Sequence, residues 1–593
     1  MASSAVGTSS LQSQPIYGDA AGWYSLLERV SNRSLSSQEA LEHAIRGRQI
    51  DGDSRWVLPL AMAHWLEGRY PDALKALFEP SVVQACDPLW LYHNLVGMVA
   101  RKVEGQNARA VKAFERSLEL EPDRPDTLYN FANLLKDDDP ERAVDLYRRS
   151  LVLEPSAASA WHNYGTALNS LTQYEGALLA LRLSLRLDPL VADVWCNLGL
   201  AYFGLEDFTN AERAFRHAIS LEASHAPSHT NLGNALISVL QPEEALQYLE
   251  RGVELDQSST HSLWNLALAY LLLGDYSKGW EYYEVRFDNE DFEHVTIPTS
   301  GPRLRDLASA PREGQPPLVV WSEQGLGDAI QFCRYLKLLD AAAIPYVFLT
   351  RPSLMTLMRD WTGLGERVQL IGSTDPEADT RPHVALMSLP RLFGTELHTI
   401  PSICPYLKAP APPREALHLA KPPGGISVGI VWASNPDNKA MYRHKSLPLT
   451  LLMPLFERLI DLDLLELHSL QFGEDAEQIA PWRHRQEIHE WNNRLTDFSD
   501  TAHLLSQLDL VITVDTAVAH LAAALNKPTW VLLPQNADFR WLRQRSDSPW
   551  YPSMRVFRQK THGDWQSVAD QLDEAFDTML LLDSKALMAE RMA

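Results

Sequence analysis

The hydrophobic rhythm of the 593-residue chain changes about halfway along. In the first half the apolar positions keep a helical spacing, and a longer period is laid over it. The segments Trp161-His-Asn163-Tyr-Gly165, Trp195-Cys-Asn197-Leu-Gly199, His229-Thr-Asn231-Leu-Gly233 and Leu263-Trp-Asn265-Leu-Ala267 repeat an asparagine every 34 residues. Ala177, Ala211 and Ala245 open a second helix at the same interval, Tyr202 and Tyr270 follow the small residue, and Pro155 and Pro189 close units. Each unit is therefore expected to be two antiparallel helices. The Gly or Ala allows close approach, and a large side chain fills the adjoining gap. Backwards the spacing loosens: Asn130 lies 33 residues before Asn163, and Asn94 lies 36 before Asn130. An earlier unit carries Gly68-Arg-Tyr70 and Ala73, with Pro59 in the asparagine's place, which predicts a short or atypical first helix. About seven units run from residue 54 to 287, with irregular helices in front.

After residue 317 short β-rich apolar runs take over, at 318–321, 346–349, 368–371 and 383–387, then at 426–432, 464–470, 510–514, 529–533 and 554–557. Helical segments such as 451–460, 501–508 and 516–525 separate them. Strands alternating with helices predict two parallel, doubly wound, Rossmann-like lobes, with a cleft outside the carboxyl ends of the strands. The expected boundaries are a leader with irregular helices (1–53), a repeat array (54–287), an Asp-, Glu-, Pro- and Gly-rich linker or cover segment (288–316), and a first lobe (317–418). A second lobe with a terminal helix (419–593) completes the chain, and the Pro- and Gly-rich stretch 409–425 joins the lobes. The 34-residue period and its repeated positions resemble tetratricopeptide repeat proteins. That resemblance implies an α-solenoid whose first helices line a concave groove.

Composition narrows the partners. The formal charge is −23, which disfavours a phosphate backbone and excludes nucleic acid as the expected partner. Cys86, Cys196, Cys333 and Cys404 are scattered without a C-x-x-C pair, as buried thiols in a reducing compartment would be. Residues 1–18 lack the basic and apolar regions of a signal peptide, and no run reaches the ~18 apolar residues of a membrane span. A soluble, cytoplasmic protein is expected.

Three segments at strand ends carry chemistry. In Trp321-Ser-Glu-Gln-Gly325-Leu-Gly327-Asp328, the two glycines form a strand-to-helix turn without a third glycine or a phosphate-loop lysine. Asp328 is placed either to accept a proton or to cap the helix. In the second, Ser434 and Asn435 are followed by Lys439, Arg443 and Lys445, a basic cluster suited to a diphosphate or simply a solvated loop. In the third, Asp515 and Thr516 end a strand and open a helix, with His520 one turn on. Free N–H groups there suit a phosphate. Gln471, at the end of the 464–470 strand, is a candidate contact to a nucleotide base. Asn94, Asn130, Asn163, Asn197, Asn231 and Asn265 form a ladder of amides, each with a donor and an acceptor for a peptide backbone, or are repeat consensus alone. Asp461-Leu-Asp463 lies between a helix and a strand start, so no metal site is expected there.

Gly-Leu-Gly-Asp328 in one lobe paired with Asp515-Thr-x-x-x-His520 in the other resembles the heptosyltransferases (glycosyltransferase family 9), although Ala517 stands where that family usually has Gly. The stretch 547–559 resembles bacterial tetratricopeptide–glycosyltransferase fusions, and the architecture is similar to that of O-GlcNAc transferases, whose repeat groove holds protein substrates. The resemblance implies a GT-B fold and an inverting, metal-independent glycosyltransferase that takes its sugar from a nucleotide-diphosphate sugar and needs no cofactor. It implies that Asp328 is the base, that Asp515, Thr516 and His520 contact the donor's nucleotide or phosphates, and that a protein or peptide occupies the groove. Gly325, Gly327, Ser434, Asn435, Lys439, Arg443, Lys445 and Gln471, read from their places at the strand ends, are expected to complete the donor site. A glycan or lipid-linked acceptor, or an inactive scaffold, are the alternatives. The sugar, the base and the oligomeric state are not legible.

Overall fold

The computed structural model of the chain describes residues 22–288, 297–373, 375–408, 417–419, 425–437 and 439–592. The leader at 1–18, most of the 409–425 stretch and part of the 288–316 segment lie outside them. The chain divides into two compact units, one ending at Asn231 and the other beginning at Leu232. This division falls inside the repeats, not at their expected end near residue 287.

In the first unit, helices Gly22–Ser31 and Ser37–Asp51 precede the repeats. Helix pairs follow, among them Trp90–Ala100 with Asn107–Leu120, Pro125–Leu135 with Pro140–Leu153, Ala158–Ser170 with Tyr174–Leu187, and Ala192–Gly204 with Phe208–Leu221. Pro59 lies in the first turn of Val57–Leu66, where its missing N–H has no intrahelical partner to lose. The small residue of each unit has a steric cause. A Cβ on Gly97 would stand 2.6 Å from the Phe114 ring, on Gly165 2.6 Å from Leu181, and on Gly199 2.4 Å from Phe215. Buried serines tie the second helix of a pair to the start of the first: Ser117 donates to the Trp90 carbonyl (2.8 Å), Ser150 to Pro125 (3.0 Å) and Ser184 to Ala158 (2.9 Å).

In the second unit, helices Pro242–Leu255, Thr260–Leu273 and Tyr276–Tyr283 lead into two parallel sheets. The first comprises β1 (Leu318–Trp321), β2 (Tyr346–Thr350), β3 (Val368–Leu370) and β4 (His383–Ala385), in the order β3-β2-β1-β4. The second comprises β5 (Ile426–Val431), β6 (Leu465–Ser469), β7 (Ile488–Glu490), β8 (Leu510–Val514), β9 (Thr529–Leu533) and β10 (Met554–Arg558), in the order β10-β9-β8-β5-β6-β7. Strand order reverses beside β1 in the first sheet and between β5 and β8 in the second. These switch points open crevices at the strand carboxyl ends. The runs β1 and β8 are buried along their whole length, as sheets covered on both faces require.

The 297–316 segment is fastened to the first sheet rather than free. The Leu304 N–H donates to the His383 carbonyl (2.7 Å), and the His383 N–H to Pro302 (3.0 Å). The last repeat helix is built into the lobes' own core. Tyr276, Trp280 and Tyr283 are buried, with Trp280 edge-on to Phe332 (5.8 Å) and to Phe539 (5.7 Å).

Candidate active site

The chain leaves β1 at the switch point and turns at Gly325 into the helix Leu326–Phe332. Asp328, in that helix's first turn, reaches back to accept the Gly325 N–H at 2.8 Å, so the capping role is realised. Its other oxygen accepts from the Arg540 guanidinium, which comes from the turn Phe539–Trp541 of the second lobe. Burial pushes the Asp328 carboxyl above its ordinary range, against the pull of Arg540. Gly327 is required by packing: a Cβ there would stand 2.9 Å from the His520 ring and 3.5 Å from Cα of Ala517. The two motifs, nearly 200 residues apart in sequence, therefore meet directly.

On the facing lobe, β8 ends at Asp515, and Thr516 is the N-cap of the helix Ala517–Ala524, its hydroxyl making no cap hydrogen bond. The Thr516 hydroxyl instead lies 3.1 Å from that of Thr513. Lys445, the last residue of the helix Lys439–Lys445, donates to Asp515 at 2.6 Å. Burial raises the Asp515 carboxyl, but the Lys445 ammonium outweighs it and holds it below the ordinary range. Burial brings the His520 imidazole down to about 3, so at neutral pH it is uncharged. The ring is placed by the Tyr551 hydroxyl, 2.9 Å from Nδ1, and by stacking on Trp541 at 5.4 Å.

The other expected donor residues divide. Ser434 lies at the end of the β5 segment, where its N–H donates to the Ser446 hydroxyl at 3.0 Å. Asn435, Lys439 and Arg443 are exposed, so of the basic cluster only Lys445 points into the Asp515 site. The Gln471 side chain is taken up by main chain: its carbonyl accepts the Trp432 and Ala433 N–H groups (3.1 and 2.9 Å), and its amide donates to Ala433 and Phe472 (3.2 and 3.1 Å). It shapes the turn after β5 and has little capacity left for a base.

Sequence reasoning missed Arg540. This guanidinium is 7% exposed, donates to Gln331 (2.8 Å), Asp538 (2.7 Å) and Asp328, and lies over the Phe539 ring at 4.6 Å. Only its place in the loop after β9, at the carboxyl edge of the sheet, could have marked it. The part that the end of the last repeat plays beside the Asp328 turn was missed too. Arg286 forms a buried pair with Glu323 (2.8 and 3.0 Å) and donates to Ser388 (2.7 Å), while the Tyr283 hydroxyl meets Gln324. Glu323 and Gln324 belong to the turn that presents Asp328, so the end of the repeats holds that turn in place.

The asparagines donate mostly within the repeats. Asn130 reaches Asn94 (3.3 Å), Asn163 reaches Asn133 (2.7 Å) and Tyr129 (3.1 Å), Asn197 meets the His162 ring (2.9 Å), and Asn231 reaches the Cys196 sulfur (3.4 Å). Asn265 donates to the His261 carbonyl at 2.9 Å. Asn130, Asn163, Asn197 and Asn231 thus each engage a donor with the preceding unit, whereas Asn265 donates within its own helix and Asn94 accepts.

Glu466, His468 and His489 cluster on β6 and β7. They form a poor cation cage. The two rings stack face to face at 4.7 Å and 16°. The Trp491 indole donates to His468 Nδ1 (3.2 Å), which leaves the proton on Nε2, the atom a metal would need. Asp461 pairs with Arg485 (2.8 Å) at the opposite end of β6 from the cleft. The four cysteines are free, and among the described residues no helix is long and apolar enough to cross a membrane.

Glycosyltransferase family 9 (heptosyltransferase) matches residues 487–561, a span holding Asp515, Thr516, His520 and Arg540. Tetratricopeptide repeat families match 131–192, 192–225 and 230–289. Protein FlbA of Caulobacter vibrioides is 27% identical over 337 residues, covering 51% of this chain and 52% of that protein. The chain thus spans about half the length of that curated relative. Among solved structures, MamA of Desulfovibrio magneticus (24% identity, TM-score 0.27) covers 29% of this chain and 96% of its own. The pilF protein of Pseudomonas aeruginosa (19%, TM-score 0.30) covers 34% and 91%. The chain carries a solenoid of tetratricopeptide repeats and, toward its C-terminus, a glycosyltransferase family 9 domain of α/β, GT-B type.

Proposed function

We propose that this chain is an inverting, metal-independent glycosyltransferase that moves a sugar from a nucleotide-diphosphate donor to an acceptor hydroxyl, on a protein held by the repeats. The observation that carries the reading is the meeting of Gly327, next to Asp328 at one switch point, with Ala517 and His520 at the other. Asp328 accepts the proton of the acceptor hydroxyl, whose oxygen attacks the anomeric carbon as the bond to the diphosphate breaks. The burial that raises its carboxyl makes it a better base near neutral pH. The departing diphosphate is met by the N–H groups at the start of the helix Ala517–Ala524, the uncapped Thr516 hydroxyl and Lys445. Neutral His520 donates or accepts there without adding charge. The cytoplasm, where nucleotide sugars are made, is the compartment this reading needs.

A second reading, with a glycan or lipid-linked acceptor, gains from the asparagine donors being spent inside the repeats. Incubation with a panel of nucleotide sugars, followed by intact-mass analysis of added proteins, tests both. Turnover with a sugar-sized mass gain on a protein supports the first, and turnover without it supports the second. No turnover on any donor contradicts the enzyme.

A further inference from the structure

We propose that Arg540 is the positioning residue for Asp328, and that through it the second lobe sets the orientation and charge of the base on the first. The inference rests on the reading of Asp328 as the base, and it starts from geometry. Arg540 spreads over three acceptors on two lobes: Asp538 on its own turn (2.7 Å), Gln331 on the Asp328 helix (2.8 Å), and Asp328 itself. A lysine could not make these contacts together, because only the planar guanidinium presents donors in several fixed directions. Asp538 and Gln331 fix the guanidinium, and the Phe332 and Phe539 rings, 5.6 and 4.6 Å from it, bound its faces. The remaining donor then fixes one Asp328 oxygen, while the Gly325 N–H fixes the other. Each carboxylate oxygen accepts at two positions, so a lone pair stays open for the incoming hydroxyl. Because donor and acceptor belong to different lobes, the base is oriented only while the lobes are together.

The titratable and charged groups around Asp328 come from several elements. Arg540 and Asp538 lie on the Phe539–Trp541 turn and its N-cap, Lys445 ends the helix Lys439–Lys445, and Asp515 and His520 lie beyond β8. Tyr283 comes from the last repeat, and Glu323, on the turn before Asp328, is neutralised by Arg286. Of these, Arg540 is the cation in contact with the carboxylate. Its removal takes away the strongest influence favouring the carboxylate and leaves burial and Asp538 opposed only by the weaker pull of the Gly325 N–H and Lys445. The acidic limb of kcat/KM must then move to higher pH.

The test compares Arg540→Gln and Arg540→Lys with the parent in the full chain, using the nucleotide sugar that the panel identifies. Folding is checked by thermal unfolding. A second readout, independent of turnover, is labelling of the Asp328 carboxyl by a water-soluble carbodiimide with glycine ethyl ester, followed across pH by peptide mass spectrometry. For Arg540→Gln the expected results are a roughly ten- to hundredfold fall in kcat, an acidic limb moved upward, and labelling that persists to higher pH. For Arg540→Lys the limb stays near the parent's while kcat still falls, because charge is kept and orientation lost. An unmoved limb and unmoved labelling in folded Arg540→Gln overturn the proposal, as does a change confined to donor KM, which would make Arg540 a donor-binding cation. Failure of the underlying reading shows separately, as full activity in Asp328→Asn.

Discussion

In the repeats, Asn130, Asn163 and Asn197 each donate to a residue of the unit before, and three glycines each lie beneath a large side chain of the partner helix. In the cleft, Asp328, Lys445, Asp515 and Arg540 come from four separate elements, and each polar partner occurs once. The repeats thus divide their stability among many similar local contacts, so losing one costs little. The cleft concentrates its chemistry in a few dissimilar contacts, of which Lys445–Asp515 and Arg540–Asp328 join segments far apart in sequence. The contrast ties function to the second unit and makes the size of a mutational effect depend on which region is struck.

The largest effect is expected at Asp328. Asp328→Asn should lower kcat by roughly 10²- to 10⁴-fold while the thermal midpoint stays near the parent's. A comparable loss from any single repeat asparagine would erase the contrast. Next is Lys445→Met, which leaves the Asp515 carboxylate, 9% exposed, without its partner. Stability should fall by about 3 kcal/mol, read by chemical denaturation, and donor affinity should fall with it. Gly199→Ala drives a methyl into the Phe215 ring and should cost about 1–3 kcal/mol without changing turnover per folded molecule. The smallest effect belongs to Asn163→Ala, at about 1 kcal/mol or less, because its Asn133 and Tyr129 partners remain half-buried and can find water. If Asn163→Ala instead weakens protein modification at constant stability, the repeats bind the acceptor through their remaining amide oxygens.

Much of this was legible in the sequence, for reasons that mark the limits of such reading. The repeat helices follow from a 34-residue period because each contact is local and recurs. The strands β1, β8 and β9 were placed because apolar, β-rich runs between turn signals admit few other folds. Strand β7 was not placed. It has three residues of intermediate burial with a single apolar one, and only pairing with β6 makes it a strand. Asp328, Asp515 and His520 stood out because they lie in motifs at strand ends. Arg540 did not, since a lone arginine in a turn acquires meaning only from partners in the other lobe. Gln471 shows the converse: its position at a strand end suggested a ligand contact, but neighbouring main-chain groups had already taken its amide. What the last repeat packs against was not legible, because sequence period reports a repeat's own fold and not its neighbours.

Calorimetric titration of UDP, ADP, GDP, CDP and dTDP into the full chain, its Asp328→Asn variant and its Thr516→Ala variant tests the central claim most directly. The account predicts that one of these nucleoside diphosphates binds at one site per chain. Binding should be unchanged in Asp328→Asn, which carries the base, and weakened about tenfold in Thr516→Ala, which removes a hydroxyl from the diphosphate. Binding of none of them, or binding that Asp328→Asn abolishes and Thr516→Ala leaves untouched, would contradict the division of the cleft into a base on one lobe and a diphosphate site on the other.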